Sequence, residues 1–235
     1  MRVLDLFSGF GGWGQAFRDA GHEVVTVDFE AMFNPTIVAD INLLTSADVP
    51  GPWDVILASP PCQKFSIATV FRHWSKPGKI YVPKTEDALF ALGLVQSTLR
   101  LIDELQPRFW VIENPRGLLR KLSLMVPYER RTVTYCQYGD TRMKPTDLWG
   151  GFPKSLRLHP RCHNGDSCHV AAPRGSQTGT QGRKSIANAI RSEDGELDVQ
   201  EQRSRRRVRS SCPRATAVVR LDGWCGIAHR AALYP

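Results

Sequence analysis

Val3-Leu4-Asp5-Leu6-Phe7-Ser8-Gly9-Phe10-Gly11-Gly12-Trp13-Gly14 decides how the chain folds. Val3 to Phe7 is an apolar strand candidate, the glycines after it make a tight turn, and Ala16, Phe17 and Ala20 then recur at helical spacing. Strand, glycine turn and helix open a nucleotide-binding α/β unit. Glycine lets backbone come close to a ligand, and the first turn of the helix presents free N–H groups. Ligand-free turns use the same residues, so the turn is read together with the next strand. Val24-Val25-Thr26-Val27-Asp28 is that second strand, ending in a carboxylate about where such a fold places the acid that holds ribose hydroxyls. Asp28 is the candidate, with Glu30 a nearby substitute. Asp40-Ile41 falls in a loop that either approaches an adenine ring or has Asp40 capping the next turn.

Two later stretches share one design. Trp53-Asp54-Val55-Ile56-Leu57-Ala58 reads as a short buried strand, succeeded by Ser59-Pro60-Pro61-Cys62-Gln63-Lys64-Phe65-Ser66. Paired prolines cannot continue a central sheet, so the chain leaves the strand just before Cys62. The thiol is thereby held at a strand's carboxyl end, the edge at which open α/β sheets bind ligands. The plainer alternative is an inert buried cysteine behind a turn. Phe109-Trp110-Val111-Ile112 likewise ends in Glu113-Asn114-Pro115-Arg116-Gly117. A carboxylate at the end of a central strand is costly unless it is paired or has a task, so Glu113 is expected in the crevice of Cys62 or in a salt bridge to Arg116. A further strand, Arg131-Thr132-Val133-Thr134-Tyr135-Cys136, leads through Tyr138-Gly139 to Leu148-Trp149.

Between these lie two segments of different character. From Glu86 to Leu105 the residues Leu89, Leu92, Val95, Leu99 and Ile102 recur at helical spacing and are assigned to the core, with Pro107 stopping the helix. From Ile67 to Lys84 there is no clean period, which predicts a loop. Arg72, His73, Lys76, Lys79 and Lys84 are interleaved there with Phe71, Trp74 and Tyr81. That mixture suits phosphates and unstacked bases, and equally a solvated surface.

At 235 residues and 42% hydrophobic content the chain can bury one main core. A net charge of +8 points to a polyanionic partner, nucleic acid before membrane. No apolar run reaches the length of a bilayer span, and Asp5 with the glycine turn interrupts the place where a signal peptide would need its apolar core. A cytoplasmic protein is expected. Its six cysteines then read as reduced thiols, catalytic groups or metal ligands rather than as a disulfide framework.

Four features in order, Asp5-Leu6-Phe7-Ser8-Gly9-Phe10-Gly11-Gly12, Pro61-Cys62-Gln63, Glu113-Asn114 and Tyr138-Gly139, resemble the ordered motifs of the DNA cytosine-5 methyltransferase family over roughly residues 1 to 150. The resemblance implies a short phage- or bacterial-type member with an α/β, Rossmann-like methyltransferase fold: a mixed, mostly parallel sheet with helices on both faces. It implies S-adenosylmethionine as cofactor, DNA as partner, and methylation of a flipped-out cytosine, for instance in restriction-modification. Cys62 would be the nucleophile and Glu113 the acid, with Arg142 and Lys144 beside the base or a phosphate. Asp5, Phe7, Ser8, Gly9, Gly11, Gly12, Asp28, Phe29, Asp40, Ile41 and Pro60 would line the cofactor pocket. A monomer is expected. Pro115 stands where the family has valine, and Arg142-Met143-Lys144-Pro145-Thr146 replaces its Gln-x-Arg-x-Arg motif. The same fold acting on RNA or adding another group, and an inactive DNA-binding remnant, are the competing readings.

Beyond residue 150 the character shifts. Residues 151–182 read as a small irregular segment, for recognition or for metal binding. His159-Pro160-Arg161-Cys162-His163-Asn164-Gly165-Asp166-Ser167-Cys168-His169 holds enough soft ligands for zinc, but its spacing matches none of the common finger patterns, and no metal ligand is assigned. The run from Pro173 to Gly182 reads as a flexible loop. Residues 183–235 read as a basic, poorly ordered tail, in which Ile186-Ala187-Asn188-Ala189-Ile190 is a faint echo of the family's final motif. Arg203-Ser204-Arg205-Arg206-Arg207-Val208-Arg209 there is either a DNA tether or a stretch not selected for folding.

Overall fold

The computed structural model describes residues 1–170. The Pro173–Gly182 run, the Ile186–Ile190 echo and the Arg203–Arg209 basic run lie outside the described residues. In chain order the elements are β1 (Arg2–Leu6), α1 (Gly12–Asp19), β2 (Glu23–Asp28), β3 (Ile37–Val38) and β4 (Val55–Ala58). They continue with α2 (Val70–His73), β5 (Trp74–Ser75), β6 (Val82–Pro83), α3 (Glu86–Leu105), β7 (Phe109–Pro115), β8 (Arg130–Thr134) and β9 (Pro145–Gly151).

Seven strands form one sheet in the order β3-β2-β1-β4-β7-β9-β8. The pairs from β3 to β7 are parallel, and β9 runs antiparallel to both β7 and β8. The mixed, mostly parallel sheet expected from sequence is therefore present. Strand order reverses between β1 and β4, and Leu6, Ala58 and Ile112 are aligned across β1, β4 and β7. The glycine turn, the Pro60-Pro61-Cys62 turn and Glu113 thus lie together at the sheet's carboxyl edge. That edge, at the switch point, is where an open α/β sheet has its crevice.

Alternation along the strands divides the core. Leu4, Leu6, Ile56, Ala58 and Ile112 pack with Val95, Leu101 and Ile102 of α3 on one face. Val3, Val55, Leu57 and Val111 pack with Trp13 and Phe17 of α1 on the other. A Cβ at Gly14 would come within 2.7 Å of Val24 Cγ1 and 2.9 Å of Asp5 Oδ2, so only glycine lets α1 lie this close to the sheet. Beyond β9 the chain folds back, and Leu156 and Cys162 are buried against the same body.

Three expectations need correction. Leu89 is 60% exposed; the buried stripe of α3 runs instead through Ala88, Ala91, Leu94, Val95, Thr98, Leu101 and Ile102, because small residues let the helix seat closely. Residues 67–84 are not one loop but α2 and a small hairpin of β5 and β6. Within it Trp74 is core, its indole N–H donating to the Lys64 carbonyl at 2.7 Å, while Phe71 is exposed. The strand β9, which sits between β7 and β8, is absent from the sequence-based reading. Among the described residues no helix is long and apolar enough to cross a membrane.

Candidate active site

The turn after β1 is tied to the end of β2 by one carboxylate. Asp28 Oδ2 accepts from Gly9 N at 2.8 Å and Oδ1 from Glu30 N at 2.9 Å. Ser8 N donates to Val27 O at 3.1 Å and Gly11 N to Ser8 O at 2.8 Å. Holding this turn requires left-handed backbone at Gly9 (φ 50°) and Gly11 (φ 74°), and also at Phe7 (φ 59°), where a side chain makes it cost roughly 1–2 kcal/mol. A Cβ at Gly9 would meet nothing within 4 Å, and the Ser8 hydroxyl is buried with no partner. Phe10 and Phe29 expose about two thirds of their surface on the same two turns, at 69% and 68%. An open glycine, an unused hydroxyl, a half-buried carboxylate and exposed aromatic faces fit a ribose and adenine-bearing cofactor.

Other expected cofactor residues have structural work. Asp5 is 1% exposed, and its Oδ2 accepts from Gly14 N at 2.9 Å, so it braces α1 from beneath. Burial drives its pKa up to about 7, against the lowering effects of the Gly14 N–H and Arg18. Asp40 caps the next turn: its Oδ1 accepts from Asn42 N at 2.9 Å and its carbonyl from Leu43 and Leu44. Ile41 is 2% exposed and belongs to the core. Gly12 opens α1, and Pro60 is buried with its carbonyl bound from β7.

Cys62 is half-buried in the turn after β4, and Glu113 is 8% exposed near the end of β7. The Tyr135 hydroxyl, rather than Arg116, partners Glu113, donating to Oε1 at 3.0 Å. Burial pushes the Glu113 carboxyl up, while Lys144 and the Tyr135 bond pull it down. Burial also pushes the Cys62 thiol up, with repulsion from the Glu113 charge adding to it and Lys144 opposing. Cys62, Glu113 and Lys144 therefore act on one another electrostatically. Lys144 has φ 24° and its Nζ lies 4.7 Å from the Tyr135 ring centroid. Arg142 is forked onto Asp140 at 2.8 and 3.1 Å and also acts electrostatically on Tyr135. The remaining candidate nucleophile of this region, Cys136, is buried with its Sγ 3.0 Å from that of Cys162, and burial pushes its thiol up.

A model of the C-5 cytosine-specific DNA methylase family matches residues 1–125. The chain belongs to that family. Its similarity to "Probable DNA (cytosine-5)-methyltransferase" of Frog virus 3 is 30% identity over 206 residues, 81% of this chain and 93% of the viral one. Similarity to mouse tRNA (cytosine(38)-C(5))-methyltransferase is 26% over 171 residues, covering 66% of this chain and 38% of that enzyme. The chain spans only about a third of the length of the bacterial type II methyltransferases it also matches. The structure of the Entamoeba histolytica methyltransferase EhMeth superposes with a TM-score of 0.51 at 12% identity, over 68% of this chain and 55% of that one, which is a likeness of fold. The fold is that of the S-adenosylmethionine-dependent methyltransferases.

For a member of this methylase family, two positioning residues went unassigned from sequence. Asn114 Nδ2 donates to the Pro60 carbonyl at 2.9 Å, and Leu118 N to the Phe65 carbonyl at 2.7 Å, so β7 and the turn that follows it hold both ends of the Cys62 turn. Asn114 was visible as the second letter of the Glu113-Asn114 motif. Tyr135 carried no local signal, since its partner is 22 residues away in sequence.

Proposed function

We propose that the chain transfers a methyl group to carbon 5 of a cytosine in DNA, with Cys62 as nucleophile and Glu113 as acid at N3. What supports this most is the convergence of Cys62, Glu113 and Lys144 at the carboxyl ends of β4 and β7, beside the glycine turn. Carbon 5 of cytosine is a poor nucleophile until a thiolate has added across the 5,6 double bond. The Cys62 thiolate would form the sulfur–carbon 6 bond while the displaced electron pair moves into the ring. Glu113, whose neutral form burial favours, would pass a proton to N3. The two ionisations are linked, because a neutral Glu113 removes the repulsion that raises the thiol, and Lys144 favours the thiolate.

S-adenosylmethionine, when bound, supplies an electrophilic methyl group for carbon 5. Asp28, the Ser8 hydroxyl and the glycine backbone would hold its ribose and neighbouring polar atoms, and Phe29 would cover the adenine. Loss of the carbon 5 proton to solvent water and breaking of the sulfur–carbon 6 bond then regenerate the Cys62 thiolate, and the N3 proton returns to Glu113. The target atoms lie inside a duplex stack, so the base must be extruded at roughly a few kcal/mol, and a +8 chain favours that encounter. The bacterial type II relatives support a bacterial-type enzyme in a restriction-modification setting.

The mouse relative makes RNA the second reading. Mass analysis of nucleosides from DNA and RNA of cells expressing the chain separates the two: 5-methyldeoxycytidine is expected. 5-Methylcytidine in RNA alone would favour the second reading, and neither product would favour an inactive remnant.

A further inference from the structure

At the turn that begins with Tyr135, four soft ligands from two separate parts of the sequence meet. Cys136 lies in the short turn over Tyr135–Tyr138, while Cys162, Cys168 and His169 belong to the segment that folds back after β9. Their ligand atoms all lie within 4.8 Å of one another. Cys136 Sγ to Cys168 Sγ is 3.7 Å, Cys162 Sγ to His169 Nδ1 is 3.7 Å and Cys168 Sγ to His169 Nδ1 is 3.6 Å. Zinc–sulfur and zinc–nitrogen bonds of about 2.3 and 2.0–2.1 Å in a tetrahedron give edges of about 3.8 Å between sulfurs and about 3.5 Å between sulfur and nitrogen. These three separations agree with those figures. The fourth, Cys136 to Cys162 at 3.0 Å, is short for a tetrahedron but about an ångström too long for a disulfide.

The surroundings are built to hold the group. Cys136 and Cys162 are 1% and 5% exposed, and Cys168 and His169 close the outer side. Cys162 N donates to Thr134 Oγ1 at 3.0 Å, and Gln137 Nε2 donates to Cys168 Sγ at 3.3 Å, the kind of outer hydrogen bond that orients a thiolate ligand. Asp166 Oδ2 accepts from His163 N at 2.7 Å, closing the turn between the second and third cysteines. Directly after His169, Val170 N donates to Thr141 O at 2.9 Å.

We propose that Cys136, Cys162, Cys168 and His169 form a structural zinc site of the three-cysteine, one-histidine class. Each cysteine gives its proton to solvent on binding, and His169 coordinates through neutral Nδ1. With four protein ligands no position is left open, so the metal has no part in methyl transfer. Its work is to pin the chain after β9 to the turn whose first residue, Tyr135, holds Glu113. The site goes beyond the methyl-transfer reading and stands without it.

The test is metal analysis of the full chain, purified in reductant without an affinity metal, and then cobalt exchange. One zinc per chain is expected. Cobalt should give thiolate charge-transfer absorption and the intense visible bands of a tetrahedral ion. Cys168→Ser and His169→Ala should lose zinc and lower Tm, whereas joint replacement of Cys212 and Cys225 by serine should retain it. A metal-free chain whose Tm is unmoved by zinc or chelator would overturn the proposal. So would zinc retained by Cys168→Ser, or a Cys136–Cys162 disulfide in the reductant-prepared protein.

Discussion

Asn114 donates its side-chain N–H to the carbonyl of Pro60 across 2.9 Å of buried space, so the strand that carries Glu113 also sets the position of the turn that carries Cys62. Nucleophile and acid are thereby linked directly rather than carried by two independent loops. Asn114→Ala leaves the Pro60 carbonyl buried and unpaired, at about 1–3 kcal/mol. We expect lower stability in urea and a larger loss in the rate of adduct formation than in cofactor affinity. Equal losses in both would mean that Asn114 supports the fold alone.

Tyr135→Phe removes the hydroxyl that stabilises the Glu113 carboxylate. The Glu113 pKa should then rise further above its ordinary value, and the protonated acid should persist to higher pH. The alkaline limb of the pH–rate profile of Tyr135→Phe is therefore expected to move upward. A limb that stays in place would assign the titration to another group.

Asp5 ties stability to pH. Its pKa is 3.8 unfolded and about 7 in the fold, so the native state holds the proton more tightly. Stability is highest below pH 4 as far as this group is concerned, falls as pH rises towards about 7, and levels off above that. The full difference is on the order of 4 kcal/mol. Asp5→Asn keeps an acceptor for Gly14 N and removes the charge, so its urea midpoint at pH 8 should exceed that of the parent while the two converge near pH 4. Parallel curves would contradict the assignment.

Asp28→Ala removes the link between Gly9 and Glu30 as well as the proposed ribose contact. Calorimetry should show S-adenosylmethionine binding weakened about tenfold or more, since hydrogen bonds to charged groups are worth about 1.5–3 kcal/mol each. The fold should survive, because the carboxylate lies at the crevice rather than in the core. Unchanged affinity would move the ribose role to Glu30.

The parts of the fold legible in the sequence are those whose physics is local. β1, β4 and β7 lie in a sheet covered on both faces, so they read as near-continuous apolar runs, and Cys62 and Glu113 stand out where proline or glycine ends each run. β9 gives no such signal. It begins with Pro145, contains Asp147 and ends in Gly150-Gly151, all poor strand residues. Asp147 is tolerated at 0% exposure because Arg120 and Thr132 donate to it at 3.0 and 2.7 Å, and a side chain at Gly150 would collide with the Trp110 carbonyl. These reasons are tertiary. The same holds for Tyr135 with Glu113 and for Cys136 with Cys162, whose partners come from distant parts of the chain.

The pairing of Cys62 with Glu113 is tested most directly by DNA in which fluorine replaces hydrogen at carbon 5 of cytosine. Cys62 can add and the methyl group can transfer, but release needs a proton to leave from carbon 5, and fluorine cannot leave as a cation. With S-adenosylmethionine and random-sequence duplexes that cover every short site, the chain should stay bonded to the DNA through denaturation. Peptide mapping should place the bond at Cys62. Cys62→Ala should form no adduct, and Glu113→Gln should form it more slowly, because protonation at N3 is what makes carbon 6 electrophilic. An adduct that survives Cys62→Ala and maps to Cys136 would contradict the account.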